Sequence, residues 1–237
     1  MDESVSIRSQ FNGPPGSGNG GYVCGLLGKH FGDAPAEVTL FVPPPLERPL
    51  RLLRDGEHLA LMDGEQKVAE AKPAALQLEA PGPPTLAVAE EAVQRYRGFH
   101  THSFPSCFVC GPDRAEGDGL RIFSGWVPGS DVLAAPWTPG LQFAQADGTV
   151  DPAICWAALD CPGAFAIYHA TGDAAPTIVL GRMTGRVLAS ARAGAPHVVI
   201  SWPLGHEGRK HHAGTAIYTE DHQLLACSRQ TWITIKS

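Results

Sequence analysis

Long hydrophobic runs are missing from this sequence of 237 residues: none approaches the length of a membrane span. Charge is also sparse, with 18 Lys and Arg against 24 Asp and Glu, a formal balance of -6. That balance offers no global attraction to nucleic acid or to an anionic membrane, so an anionic ligand has to meet a local basic patch. The expected partner is therefore a small molecule. The six cysteines are scattered, at 24, 107, 110, 155, 161 and 227, in a chain too large to depend on disulfides, so reduced thiols are expected. The N-terminal stretch MDESVSIRSQ is acidic and polar and reads as neither anchor nor secretion signal, which makes the cytoplasm the expected location. What the chain does have in quantity is Gly (27) and Pro (21), a composition that suits many short strands joined by tight turns.

The glycine-rich stretch GPPGSGNGGYVCGLLG, residues 13–28, contains G-x-G-x-x-G at Gly16, Gly18 and Gly21. A dinucleotide site needs a buried strand feeding directly into the first glycine and an acid about twenty residues on, after a second strand. Here the upstream run SVSIRSQF is cut off by Asn12-Gly13-Pro14-Pro15, and Glu37 precedes the run VTLFV instead of following it. The nucleotide reading fails on both counts. What survives is glycine backbone meeting a helix start, where unpaired amides and the helix dipole suit an anion or an oxyanion.

Residues 20–30 read as a helix in which Gly25 and Gly28 allow another backbone to approach closely. Short alternating runs follow at 38–42, 49–56, 57–64 and 66–71, with Asp55-Gly56 and Asp63-Gly64 as hairpin signals. A proline-rich break, APGPPT, leads into TLAVAEEAVQRYRG, whose Leu86, Ala89, Val93 and Tyr96 recur at helical spacing between a Thr85 cap and a Gly98 stop. Strands are then expected at 119–127 and 131–137. A helix opened by Asp151-Pro152 covers 153–170, and a second meander closes the chain with turns at Gly194 and Glu220-Asp221. Both halves thus share one order: strand, loop, central helix, antiparallel strands. This order predicts a tandem α+β protein with a first half at 1–80, a linker helix at 81–99 and a second half at 100–237.

Three motifs carry a family resemblance. FPSCFVCGPDRAEGDGLRIF (104–123) resembles the C-x-x-C-G...GL segment before the first strand of many hotdog thioesterases. GSGNGG (16–21) resembles their H-G-G helix opening, with Asn19 in place of the usual His, and WAALDCPGAFA (156–166) resembles their acid-bearing central helix. The resemblance implies a double hotdog, two tandem halves each with a central helix wrapped by a curved antiparallel sheet. It also implies acyl-CoA thioester hydrolysis without a metal or other cofactor, coenzyme A being part of the substrate.

In that family a glycine amide at the helix start polarises the thioester carbonyl, and an Asp or Glu nine residues after the His acts as base or nucleophile. Here nine residues after Asn19 stands Gly28, and nine before Asp160 stands Asp151. Each half lacks what the other has. Nine residues span about 13 Å of helix, so antiparallel central helices would bring the start of one to the acid of the other. The expectation is one composite site, with Gly20 and Gly21 as oxyanion donors, Asn19 as orienter and helix cap, and Asp160 as acid/base or nucleophile. The mirror position near Gly28 and Asp151 is expected to be inactive. Two chemistries need no more than this: aligned amides that stabilise an oxyanion, and a carboxylate that activates water.

Other features compete for a role. Arg209 and Lys210, in HEGRKHH, are a candidate patch for coenzyme A phosphates; the same stretch lacks the second histidine of H-E-x-x-H, which excludes a zinc-protease motif. Cys107 and Cys110, with His100 and His102 upstream, are potential zinc ligands, but their spacing is loose, the resemblance implies no metal, and a reduced C-x-x-C turn leading into a strand is the preferred reading, so no metal is assigned. Phe143, Trp156, Phe165 and Trp202 read as core aromatics. Two other functions fit the same fold: noncatalytic acyl-CoA binding, and enoyl-thioester hydration, for which Asp160 and His169 are poorly spaced. A homodimer through an exposed sheet edge is a further expectation.

Overall fold

Period-two alternation builds the strands. In β3 (Pro49–Asp55), Leu50 and Leu52 are buried while Pro49 and Arg51 face out; in β4 (His58–Asp63), Leu59 and Leu61 are buried. The two pair antiparallel, with Leu52 opposite Leu61, and the turn between them has a left-handed backbone at Gly56 (φ 58°) that favours glycine. The computed structural model describes residues 3–172 and 176–235. Within them the remaining strands are β1 (Glu3–Ser6), β2 (Ala36–Leu40), β5 (Gln66–Pro73), β6 (Gly125–Trp126), β7 (Leu133–Trp137), β8 (Ile178–Val187), β9 (His197–Glu207), β10 (Lys210–Thr219) and β11 (Leu224–Thr234).

All eleven strands form one sheet, in the order β1-β3-β4-β5-β2-β8-β11-β10-β9-β7-β6. The first five strands and the last six make two half-sheets joined edge to edge. Leaving aside β6 at the far edge, both halves run first, third, fourth, fifth, second strand, and the second strands meet antiparallel across the seam, Ala36 opposite Gly185 and Thr39 opposite Arg182.

Two helices sit in the main core. The first, α1 (Gly20–Gly28), is capped by Asn19, whose Oδ1 accepts from the Tyr22 amide at 2.8 Å. The other long one is α3 (Pro152–Thr171), capped by Asp151, with Pro152 at its first turn, where a missing N–H costs nothing. A Cβ added at Gly21 would meet Asp160, one at Gly25 would lie 2.6 Å from the Ala153 Cα, and one at Gly28 would strike the Trp156 ring. From Gly21 to Gly25 the α3 partner falls back from Asp160 to Ala153, so the helices run antiparallel, and Gly25 brings them to backbone contact.

Between the two meanders, α2 (Leu86–Ala92) starts at the Thr85 cap and continues through tight turns at Val93–Arg95 and Arg97–Phe99. Its Ala89 and Ala92 pack with Val198, Ile200 and Trp202 on the sheet face opposite α3. This explains why β9 opens with six buried residues in a row: both of its faces are covered.

One strand expectation is corrected. Of the segment 119–127 only Gly125–Trp126 is strand. Arg121 takes a left-handed backbone (φ 52°), and the Leu120 and Ile122 amides donate to the carbonyls of Phe108 and Val109. The alternating side chains, Leu120 and Ile122, are buried as a strand's would be, but the segment pairs with the C-x-x-C turn.

Candidate active site

The cap of α1 and the middle of α3 meet at one carboxylate. Asp160 Oδ2 accepts from Asn19 Nδ2 at 2.7 Å and from the Gly21 amide at 3.0 Å, while Asp160 Oδ1 is buried with no hydrogen-bond partner among the described residues. Asn19 is thus held at both ends: its Oδ1 caps the helix, which aims its Nδ2 at the acid. Asp160 is only 2 % exposed, and burial pushes its pKa up from 3.8 to about 7 against the opposing pull of the Gly21 amide and Asn19.

Gly21 differs in detail from the sequence expectation. Its amide donates to Asp160 Oδ2 at 3.0 Å. Gly20, the first residue of α1, lines the adjoining cavity, and its N–H belongs to the first turn, where no helical carbonyl is available to it. A Cβ there would stand 3.0 Å from Leu180, so a side chain would require Leu180 to give way.

The cavity beside these groups has a volume of about 540 Å³. Asn19, Gly20 and Asp160 lie in its wall, together with Phe165, Tyr168 and Leu180, so a polar corner opens onto an apolar chamber. That combination suits a ligand with one reactive polar group and an apolar body.

The mirror position is built for packing. Asp151 Oδ1 accepts from the Ala153 amide at 2.8 Å, its other oxygen lies 3.5 Å from Lys29 Nζ, and the space over Gly28 is taken by the Trp156 ring. Arg209 and Lys210 do not line the cavity; they lie at the β9–β10 hairpin, where Lys210 stands opposite Ile233, a cavity residue. His169 stacks on Trp126, away from Asp160's cavity. Of the aromatics read as core, Trp156, Phe165 and Trp202 are buried and Phe143 is partly so, but Phe165 also faces the cavity.

No family model matches the chain, and no curated protein matches it in sequence. Solved structures do match it along nearly its whole length. The tesB protein of Mycobacterium avium subspecies paratuberculosis superposes with a TM-score of 0.63 at 11 % identity, covering 98 % of this chain and 92 % of that one. An acyl-CoA thioesterase II, TesB2, from Mycobacterium marinum gives 0.60 at 11 %, covering 99 % and 93 %. A protein of unknown function with a hot dog fold from Alicyclobacillus acidocaldarius gives 0.59 at 11 %, covering 99 % and 93 %. This chain has the hotdog fold. Within it, each half-sheet has a helix, α1 or α3, packed on it.

Sequence reasoning missed several residues of this hotdog cavity. Arg97, in the turn after α2, is in its wall, as are Tyr168 and Cys161 on α3. Tyr168 was recoverable, because it lies eight residues, just over two turns, from Asp160 and so on a related helix face. Arg97 carried no signal, since nothing local places a linker turn beside a site 63 residues away. Among the described residues no helix is long and apolar enough to cross a membrane.

Proposed function

We propose that this protein hydrolyses an acyl thioester, carried by coenzyme A or by a carrier protein, at a single site between α1 and α3. The observation that carries the reading is the asymmetric dressing of Asp160: one oxygen fixed by two donors, the other buried and unpaired, at the wall of an apolar cavity. The superposition on an acyl-CoA thioesterase II of Mycobacterium marinum supports the reaction class.

The thioester carbonyl oxygen is placed against the Gly20 amide, where the helix dipole stabilises developing negative charge. A water held by Asp160 Oδ1 attacks the carbonyl carbon and gives its proton to that oxygen. The C–S bond then breaks, and the departing thiolate recovers the proton from Asp160. Gly21 and Asn19 keep the carboxylate aimed through these steps. The hydrolytic step itself needs no metal or other cofactor. The basic side chains for coenzyme A phosphates are Arg209 and Lys210 on their hairpin, with Arg97 added from the cavity wall.

The test is thiol release from a panel of short, medium, branched and aromatic acyl-CoAs by wild type and Asp160→Asn. Asparagine keeps the shape and can still accept at one atom, so the variant is expected to bind acyl-CoA while turnover falls by about 10²–10⁴. Acyl-CoA binding by wild type without turnover across the panel would replace the reading with a noncatalytic binding protein.

A further inference from the structure

Three thiols converge beside Asp160, and hydrolysis gives them no task. Cys107 and Cys110 belong to the C-x-x-C turn and Cys161 to α3, and their sulfurs all lie within 4.8 Å of one another. Cys107 Sγ and Cys161 Sγ are 3.5 Å apart. Each residue is less than a tenth exposed, yet all three are in the cavity wall. In a tetrahedral zinc site with Zn–S bonds of about 2.3 Å, neighbouring sulfurs stand about 3.8 Å apart. The observed trio needs only small adjustments to reach that spacing.

The surroundings of the trio point the same way. Asn19 Nδ2 lies 3.9 Å from Cys107 Sγ and 3.8 Å from Cys161 Sγ. N–H groups aimed at sulfur stabilise thiolates and orient them as ligands. The turn is held tightly: the Gly111 amide donates to the Cys107 carbonyl at 2.9 Å, and a Cβ on Gly111 would stand 2.5 Å from the carbonyl oxygens of both Cys107 and Pro105. A free loop has no need of such a fixed geometry.

We propose that Cys107, Cys110 and Cys161 bind a zinc ion as three thiolate ligands, with its fourth position turned to the cavity. Compact, soft sulfur donors select zinc over the hard divalent ions. Neither histidine that sequence spacing offered belongs to the cluster: among the described residues it consists of the three cysteines, without His100 or His102. His102 Nε2 faces the Cys110 carbonyl at 3.2 Å, and its Nδ1 accepts from the Phe104 amide at 3.0 Å. Three protein ligands and one open position are the pattern of zinc sites that bind an exchangeable ligand, here a water or a thiol entering the cavity. This proposal does not rest on the hydrolytic reading.

The experiment is a Co²⁺ titration of the full chain, reduced and stripped with a chelator, beside a zinc assay of the protein as purified. Wild type is expected to take up one equivalent with a thiolate-to-cobalt charge-transfer band and the visible bands of tetrahedral cobalt, both abolished by Zn²⁺. Cys107→Ser and Cys161→Ser are each expected to weaken binding at least about 100-fold. Cys227→Ser, in the separate cluster under α2, keeps the wild-type spectrum. Absence of saturable Co²⁺ binding by reduced wild type overturns the proposal, as does an unchanged spectrum in both serine variants. The wild-type titration decides the matter even if a variant misfolds.

Discussion

Replacing Gly25 by alanine tests whether the contact between α1 and α3 sets the site's geometry. The new Cβ would lie 2.6 Å from the Ala153 Cα and 2.8 Å from the Ala153 carbonyl oxygen, both backbone atoms that no rotamer change can move. Ordinary contact begins near 3.4 Å, so the helices must part locally by about 0.8 Å. Gly21 is one turn away, about 6 Å along the axis. If the separation is transmitted, its 3.0 Å bond to Asp160 stretches to about 3.8 Å, outside hydrogen-bonding range. Overpacking costs about 1–3 kcal/mol, and the helical preference of alanine over glycine returns about 0.5–1 kcal/mol. The expected net loss is about 1–2 kcal/mol, read from urea unfolding. A displacement of this size far from the reacting atoms is expected to lower kcat/KM by about 10²-fold. Gly82→Ala is the control, since a Cβ at Gly82 meets nothing within 4 Å. Gly25→Ala with wild-type stability and kcat/KM within twofold of wild type would refute the reasoning.

Three further substitutions probe the frame of the site. Gln230→Leu removes the side chain whose Nε2 donates to the Leu159 carbonyl and to Thr215 Oγ1 and whose Oε1 accepts from Trp232 Nε1 at 2.8 Å; with the buried Trp232 Nε1 left unpaired, urea unfolding should show a loss of about 1–3 kcal/mol. Asp151→Ala removes the α3 cap and costs about 1 kcal/mol, but thiol release should stay within twofold of wild type because the mirror position is structural. His197 is buried against Trp137, and desolvation holds its pKa below the ordinary value. The unfolded chain therefore binds the extra proton first: the contribution is complete above about pH 6.5 and is lost as pH falls toward the folded value, by at most about 1.4 kcal/mol per pH unit. His197→Gln should flatten the fall in urea midpoint between about pH 7.5 and 5.5; a slope equal to that of wild type would exclude His197 as its source.

Much of the frame was legible because its signals are local. Asp151-Pro152 marks the start of α3, the alternation of Leu50, Leu52, Leu59 and Leu61 marks a half-buried hairpin, and Gly56 marks its turn. The pairing of Asn19 with Asp160 across 141 positions was accessible through the incompleteness of each half, a nonlocal inference that local patterning cannot supply. The direction of the Gly21 amide was not accessible, because it depends on how closely two backbones approach. The 119–124 segment misled for a related reason: its alternation reports burial, and burial does not say whether the hydrogen-bond partner is a strand or a turn. Cys161 was hidden as a companion of Cys107 by a separation of 54 positions, while His102 stood nearby in sequence with both ring nitrogens already engaged.

The seam between β2 and β8 has a consequence for change over time. In a symmetric dimer of separate chains, every substitution is made twice, so an alteration that suits one copy of a site is imposed on the other. Here both copies belong to one polypeptide and can diverge independently. One position can keep an acid and its glycine cradle while its counterpart fills with Trp156 and an ion pair. Under the proposed hydrolytic reading, a half-site relieved of chemistry is then free to become ballast that steadies the other half.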